Sequence, residues 1–185
     1  MTERQDQYES PLNTRYTSKE MSALFSPDRR YTTWRKLWVA LARAEHRLGL
    51  PVSAAQVTEL EAHTGDIDYA VVAAKEREIH HDVMAHIYAY GIVCPTAAPI
   101  IHLGATSCYV TDNADLILYR EGLRRLRNDL SAVIAGLGVF AERYKALPTL
   151  GYTHLQPAQL VTVGKRACLW MQDLLLDLDE LDFVL

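Results

Sequence analysis

The chain has 185 residues, enough for one domain and the start of a second, and 49% of them are hydrophobic, which is ample for a core. Its formal net charge of −4 argues against a general nucleic-acid-binding protein, because such proteins usually carry a basic surplus. Three cysteines without paired spacing favour free thiols in a reducing compartment. The polar N-terminus does not resemble a signal peptide, and no uncharged run is long enough to span a membrane. We therefore predict a cytoplasmic protein without a membrane segment.

The first part of the chain predicts helices with well-marked beginnings. Residues 1–25 are polar and rich in turn-forming residues, so we expect an extended arm there. Ser26-Pro27-Asp28 places a cap, a proline and a first-turn acid in the order that begins a helix, which should end at Gly49. Ser53 and Gln56 have the spacing of a capping box and predict a second, short helix.

Longer helices are predicted downstream. A third helical stretch should begin at Asp68 and run to Gly91, with a break near His80-His81, before a loop that contains two prolines. From Asp112, apolar residues recur in steps of three and four over roughly 33 residues, which predicts one long helix with a continuous apolar seam. The seam residues are Leu116, Tyr119, Leu123, Leu126, Leu130, Val133, Leu137, Phe140 and Tyr144.

After a second loop the same rhythm returns. Pro157 suits the first turn of a helix and Gln156 precedes it as a cap would, so we expect a helix that begins at Pro157, with His154 at its positive end. Gly164 and Ala167 should let this helix approach a neighbour closely. Its apolar pattern reaches Leu185 without a stop signal, and we interpret the chain as one cut in mid-helix.

These patterns together predict an all-α protein, because no strand pattern competes with the helices. We expect an N-terminal helical domain, residues 1–111, which carries part of an active site. Residues 112–185 should form the truncated start of a bundle of long helices, since two such helices joined by a short loop favour an antiparallel pair.

Three polar clusters interrupt the helical pattern, each at a predicted helix boundary. The first is His80-His81-Asp82, followed by His86. A zinc site is poorly supported there, because His81 and His86 would face directions about 140° apart around a helix. Asp82 and His86 could pair on one surface. A solvated polar turn is as good an interpretation of this cluster as a functional site.

The second cluster runs from His102 to Ser107. Gly104 lets the backbone approach a ligand, and Thr106 and Ser107 offer hydroxyl and N–H groups suited to a carboxylate or phosphate. For two such residues alone, an ordinary helix-capping turn is the better interpretation. However, Thr111 or Asp112 is the closer cap, which leaves the Thr-Ser pair without that role.

The third cluster is Thr153-His154. Helices need no histidine at their beginning to fold, yet a lone loop histidine is structural or incidental more often than catalytic. Three clusters of this kind in one helical chain make a shared active site the stronger hypothesis.

The polar clusters, together with two further segments, resemble the adenylosuccinate lyase family of the fumarase/aspartase superfamily. The Thr-His-Leu-Gln turn alone would indicate only the superfamily, whereas the segments together indicate this family and cover essentially the whole chain. The segments are Pro11 to Tyr16, Trp34-Arg-Lys-Leu-Trp38, His81-Asp-Val-Met-Ala-His86, Ile101-His-Leu-Gly-Ala-Thr-Ser-Cys108 and Leu150-Gly-Tyr-Thr-His-Leu-Gln-Pro-Ala-Gln159.

The resemblance implies a carbon–nitrogen lyase of purine biosynthesis. Members of the family release fumarate from adenylosuccinate to give AMP and from SAICAR to give AICAR. In this β-elimination a base removes a proton from the succinyl carbon while an acid protonates the departing nitrogen. The family's enzymes are homotetramers whose active sites are shared between subunits, and no metal, organic cofactor, nucleic acid or membrane is implied.

The resemblance also implies roles for individual residues. His154 would be the general acid, with Thr153 beside it. Thr106 and Ser107 would hold the succinyl carboxylate, and His102 would support their loop. His81 and Asp82 would contact the substrate, while Arg15 and Tyr16 would bind its phosphate end.

Two departures from the family pattern matter. Where the family commonly has a basic residue before the His-Asp pair, this chain has His80, so we carry no role over to that position. The family's catalytic base is a serine in a Ser-Ser-x-Met-Pro-x-Lys-x-Asn-Pro loop, and no segment of this chain matches it. The chain should therefore hold the acid side of the site without the base side and be inactive alone.

Other interpretations stay open. The chain could be a non-catalytic truncated product that associates with full-length lyase subunits through its apolar seams. It could belong to another lyase of the superfamily, such as one that acts on argininosuccinate. A coiled-coil scaffold would explain the seams but not the polar clusters.

Overall fold

The computed structural model describes residues 8–185. Helices dominate this part of the chain, and its one sheet has two strands, so the prediction of an all-α fold is confirmed. The chain divides into two compact units, of which the first ends at Tyr119 and the second is Arg120–Leu185. The predicted division between residues 111 and 112 stays a prediction. Within residues 8–185, no helix is both long and apolar enough to cross a membrane.

The first unit consists of helices joined by short turns. Residues 8–25 were expected to be extended, and the structure corrects this: a π-helical turn spans Leu12–Tyr16, and Ser18 caps the helix that follows by accepting a hydrogen bond from the amide of Met21. The predicted arm at residues 1–7 lies outside the described residues. The helices are α1 (Lys19–Leu24), α2 (Pro27–Arg47), α3 (Ala54–Ala62), α4 (Tyr69–Ile79), α5 (Asp82–Val93) and α6 (Ser107–Arg143), with a 3₁₀ turn at Ala98–Ile100 between α5 and α6.

Three helices begin where the sequence predicts. The hydroxyl of Ser26 accepts from the amide of Arg29 at the start of α2, and Ser53 and Gln56 form the complete capping box of α3. The carboxylate of Asp68 accepts from two amides at the start of α4. The predicted break near His80-His81 is confirmed as well, since α4 ends at Ile79 and α5 begins at Asp82.

The long helix α6 begins at Ser107 and not at Asp112, so the expectation that Thr111 or Asp112 is its cap is wrong. The hydroxyl of Thr111 bonds back to the carbonyl of Ser107 at 3.3 Å, which satisfies it inside the helix rather than at its start. The amide of Tyr109 already bonds to the carbonyl of Thr106. Thr106 and Ser107 therefore stand at the positive end of a 37-residue helix.

The core of the first unit forms where α2, α3 and α5 pack around two tryptophans, Trp34 and Trp38, each 1% exposed. His86 belongs to this core: it is 3% exposed, stacks on Tyr31 at a centroid distance of 3.9 Å, and meets the edge of Trp34. The expectation that His86 pairs with Asp82 on one surface is therefore wrong. Burial, and secondarily the charge of Arg35, lowers the pKa of His86 to about 4.

This buried histidine predicts acid sensitivity. Its folded-state pKa lies below its ordinary value of 6.5, so folding favours the neutral ring, and the resulting stability is present above about pH 6.5 and lost as the pH falls toward 4. We expect the free energy of unfolding to fall by about 2–3 kcal/mol between about pH 7 and about pH 4.5 from this group. Urea unfolding at both pH values measures it, and His86→Phe, which keeps the stacking, should remove that part of the pH dependence. An equal pH dependence in both proteins would contradict the prediction.

The second unit contains the C-terminal part of α6, a β-hairpin and the last helix. The hairpin consists of β1 (Pro148–Thr153) and β2 (Gln156–Thr162), which pair antiparallel, and α7 is Val163–Val184. The prediction of a helix from Pro157 is wrong, because Pro157 lies in β2 opposite Tyr152. The helix begins six residues later, where Thr162 accepts a hydrogen bond from the amide of Lys165.

The predicted close approach at Gly164 and Ala167 is confirmed, and both residues are buried. The amide of Gly164 donates to the carbonyl of Tyr144 at 3.0 Å. A Cβ at Gly164 would lie 2.4 Å from the carbonyl oxygen of Ala141, so no side chain fits there. This contact attaches the first turn of α7 to the last turns of α6.

Gly164→Ala should therefore destabilise the second unit by about 1–3 kcal/mol through overpacking. Gly136→Ala is the matched control, because Gly136 also lies in a helix but a Cβ there meets nothing within 4 Å. Gly136→Ala should raise the free energy of unfolding by about 0.5–1 kcal/mol, since alanine has a higher helix propensity than glycine. Urea unfolding followed by helical circular dichroism separates the two signs, and stabilisation by both changes would contradict the prediction.

Much of the apolar seam is exposed in the second unit. Leu126, Val133 and Phe183 are among its exposed large side chains, and Phe183 is 86% exposed. Between α6 and α7, apolar side chains and three carboxylates line an open groove of about 590 Å³. The lining residues are Leu123, Leu126, Asp129, Leu130, Val133, Asp177, Glu180, Leu181 and Val184.

Candidate active site

The first and second polar clusters meet in the first unit through His81 and Ser107. His81 caps α5, and its Nδ1 lies 3.4 Å from the amide nitrogen of Met84. Because a backbone N–H can only donate, Nδ1 accepts, and the neutral imidazole carries its proton on Nε2. Nε2 lies 3.5 Å from Oγ of Ser107, at the long end of hydrogen-bonding distance, so Ser107 accepts and its own O–H is left to donate elsewhere.

Asp82 and Thr106 flank this pair. Asp82 is in the first turn of α5, where its carboxylate accepts from the amide of Val83 at 2.7 Å and lies 3.7 Å from Nδ1 of His81. Thr106 is exposed and immediately precedes α6. Two helix N-termini, those of α5 and α6, thus meet at the contact between His81 and Ser107, and both favour negative charge.

His102 lies beside this cluster and is anchored from the core. Nε1 of Trp38 donates to Nδ1 of His102 at 2.9 Å. Burial, and secondarily the nearby His81, lowers the pKa of His102 below its ordinary value. His102 therefore adds a neutral ring to the cluster.

Arg15 and Tyr16 form the last residues of the π-helical turn. Both side chains are exposed, Tyr16 by 73%, and in the described part of the chain neither makes a hydrogen bond with His81, Asp82 or Ser107. The structure thus brings His81, Asp82, His102, Thr106 and Ser107 together, and within residues 8–185 no hydrogen bond joins Arg15 or Tyr16 to them.

Thr153 and His154 belong to the second unit, where His154 occupies the tip of the hairpin. His154 and Leu155 form its two-residue turn, with φ angles of 48° and 63°. Positive φ at both central positions is the signature of a type I′ turn, which normally takes Asn-Gly. His154 is exposed and Leu155 is 96% exposed. The histidine is therefore presented to solvent on a strained, narrow turn.

Unusual backbone conformation is a common feature of all three polar clusters. Among residues 8–185, the non-glycine residues with positive φ are His80, His102, His154 and Leu155. Such residues cost of order 1 kcal/mol each and concentrate at functional sites. At His80 this conformation ends α4, because the His80 amide donates to the carbonyl of Glu76 in a left-handed C-cap. Each of the three polar clusters thus contains a histidine with an uncommon backbone conformation.

Trp38 is the residue of this region whose role the sequence analysis missed. A tryptophan in a helical seam ordinarily indicates core packing, and Trp38 does pack in the core. The available signal was its indole N–H, because a buried indole usually finds an acceptor. For metal ions the structure offers no grouping of three or more His, Cys, Asp or Glu side chains within residues 8–185.

Curated relatives of this chain are adenylosuccinate lyases. The chain is 54% identical to that of Saccharomyces cerevisiae over 176 residues, which cover 94% of this chain and 36% of the relative. It is 46% identical to that of Schistosoma mansoni over 177 residues, which cover 96% of this chain and 37% of the relative. The chain thus spans a little over a third of the length of these relatives.

A solved structure and a family model agree with these relatives. The fold matches the 3-carboxy-cis,cis-muconate lactonizing enzyme from Pseudomonas putida with a TM-score of 0.84 at 26% identity, over 92% of this chain and 40% of that one. The family model described as Lyase matches residues 9–184. Because that match covers nearly the whole chain, this chain belongs to the lyase family.

Proposed function

We propose that this chain is the part of an adenylosuccinate lyase that supplies the acid side of its active site. The observation that carries the proposal is the identity of 54% to the Saccharomyces cerevisiae enzyme over 94% of this chain. The reaction would be β-elimination of fumarate from adenylosuccinate to give AMP, and from SAICAR to give AICAR.

The general acid of this reaction would be His154. A base removes the proton from the succinyl carbon, its electron pair forms the carbon–carbon double bond of fumarate, and the carbon–nitrogen bond breaks. The departing nitrogen then needs a proton, which an imidazolium at a solvent-facing turn can deliver. The exposure of His154 and its placement on a narrow hairpin tip support this role. Thr153, which precedes it in β1, would hold the substrate beside the acid.

The succinyl carboxylate would bind at the contact between His81 and Ser107. A carboxylate needs hydrogen-bond donors and positive potential, and the cluster offers both. Because Ser107 accepts from His81, its own O–H can donate to the carboxylate, and Thr106 adds a second hydroxyl at the start of α6. Asp82, whose carboxylate would repel an anion, suits a hydroxyl or amine group of the substrate instead. No metal or organic cofactor is part of this proposal.

The phosphate end of the substrate would bind to Arg15 and Tyr16. Both are exposed on the same short turn, and a guanidinium together with a phenolic O–H suits phosphate oxygens. The substrate carries its phosphate and its succinyl group at opposite ends, so separate residues would bind the two.

The 185-residue chain alone should show little or no lyase activity, because it lacks the family's base loop. The purified chain is assayed with adenylosuccinate beside a chimera in which residues 9–184 replace the matching segment of the Saccharomyces cerevisiae relative. We expect turnover by the chimera only. Turnover by the isolated chain that His154→Ala abolishes would overturn the prediction of inactivity, and a folded, inactive chimera would count against the proposed function. The complete enzyme would be a cytoplasmic homotetramer with sites shared between subunits.

The exposed apolar side chains of the second unit favour a second candidate function, association with full-length lyase subunits without catalysis. Val139 and Phe183 expose most of their surface, and contiguous exposed apolar surface marks interaction sites. Co-expression with the Saccharomyces cerevisiae relative and co-purification test this candidate. Failure to form any complex would remove it.

A further inference from the structure

The hydrogen bond between Trp38 and His102 has a direction that chemistry fixes. Nε1 of Trp38 and Nδ1 of His102 are 2.9 Å apart. An indole N–H can donate but not accept, so Nδ1 of His102 must supply a lone pair. In the neutral imidazole the proton then resides on Nε2, because each neutral ring carries one proton.

The surroundings oppose the alternative arrangement of this ring. Trp38 is 1% exposed, and the two rings meet edge to face with centroids 6.1 Å apart. If a protonated nitrogen of His102 faced Trp38, the buried indole N–H would lose its acceptor. That N–H would then be buried without a hydrogen bond, which costs its full desolvation penalty. A doubly protonated His102 would lose the same hydrogen bond, because neither of its ring nitrogens could accept from the indole.

We propose that Trp38 is a positioning residue of the candidate active site. By donating to Nδ1, it fixes His102 as the neutral Nε2–H tautomer, so that Nε2 of His102 is a hydrogen-bond donor and not an acceptor. The amide of Met84 imposes the same tautomer on His81, so the cluster presents N–H and O–H groups to one another and to a ligand. A donor attracts a carboxylate, whereas a lone pair would repel it. This consequence for substrate binding rests on the proposed function, but the tautomer itself does not.

Nitrogen-15 NMR of the full 185-residue chain, labelled on histidine, tests the proposal without any assay of activity. The signals of His102 are those that disappear in His102→Asn. Near neutral pH we expect an unprotonated Nδ1 and a protonated Nε2 in the wild type. Trp38→Phe should give a mixture of both tautomers. So should replacement of Trp38 by benzothienylalanine, which keeps the bicyclic shape but has sulfur in place of the N–H.

Trp34→Phe is the matched control. Trp34 lies one turn away on α2, is equally buried, and its Nε1 has no hydrogen-bond partner among residues 8–185. The change removes the same volume but no hydrogen bond, so His102 should keep the wild-type tautomer. A protonated Nδ1 in the wild type would overturn the proposal, and so would an unchanged single tautomer in the benzothienylalanine protein. If Trp38→Phe does not fold, those two spectra decide. Because the readout is a tautomer, failure of the proposed lyase function would leave this result intact.

Discussion

Replacement of Arg35 by alanine should lower the free energy of unfolding by about 3–5 kcal/mol, because two carbonyls lose their donor and the missing side chain leaves a cavity. Arg35 is 1% exposed, and its guanidinium contacts residues of three parts of the first unit. Its Nη1 donates from α2 to the carbonyls of His63 and Asp66, at 2.6 and 2.8 Å, in the turn after α3. Its Cζ lies 4.2 Å from the ring centroid of Tyr90 on α5, a cation–π contact.

Alanine would remove all of these contacts at once. The two carbonyls would lose a charged donor, and each buried acceptor left unsatisfied costs about 1–3 kcal/mol. The methylene stem of the side chain would also leave a cavity. The turn between α3 and α4 would then lose its two hydrogen bonds to α2.

Burial of the Arg35 charge also destabilises the fold in part, so a second variant, Arg35→Met, is informative. Nε and Nη2 of Arg35 are buried and find no hydrogen-bond partner in the described residues, and burial lowers the pKa of the group. Arg35→Met keeps most of the stem and removes these unsatisfied donors together with the charge. We therefore expect Arg35→Met to destabilise by roughly half as much as Arg35→Ala.

Arg43→Ala is the control for loss of an arginine from the same helix. Arg43 pairs with Glu61 on α3, but both side chains are about half exposed, so the pair contributes at most about 1 kcal/mol. Urea unfolding followed by tryptophan fluorescence reports on this unit, since Trp34 and Trp38 lie in its core. Equal effects of Arg35→Ala and Arg43→Ala would contradict the assigned role of Arg35.

The features that sequence reasoning predicted correctly are local. A cap and its first turn lie within a few residues, so Ser26, Ser53 and Asp68 mark their helices regardless of the rest of the fold. The close approach at Gly164 was also predictable, because a glycine in an apolar seam has few other uses.

The features that were missed depend on long-range contacts or on unusual turn residues. The hairpin escaped prediction because its turn is His154-Leu155, without the Asn-Gly that announces a type I′ turn, and because Pro157 mimics a helix start. The burial of His86 and Arg35 depends on packing between α2 and α5, which no local pattern records. The hydrogen bond from Trp38 to His102 joins residues 64 positions apart.

For the candidate site, the sequence located the clusters and the structure supplied their connections. Because the sequence predicted a helix start at Asp112, Thr106 and Ser107 had no predicted capping role. In the structure Ser107 is the first residue of α6 and contacts His81. The roles of these residues stay proposals, since they come from the resemblance and not from the pattern of polar residues.

Replacement of His154 by alanine, in the chimera with the Saccharomyces cerevisiae relative, should lower kcat about 10²- to 10⁴-fold, the usual contribution of a general acid. The backbone of this residue makes a sharper variant available. His154 has a φ of 48°, a conformation that asparagine adopts readily. His154→Asn should therefore preserve or strengthen the turn while it removes the acid.

The two variants separate a chemical role of His154 from a structural one. If the imidazole protonates the leaving nitrogen, His154→Asn and His154→Ala should lose kcat to a similar extent, although only the alanine strains the turn. If His154 served only to shape the turn, His154→Asn would keep most of its activity, because asparagine is among the residues that type I′ turns favour. The turn itself is monitored by urea unfolding of both variants. Full activity of His154→Asn would thus exclude His154 as the acid.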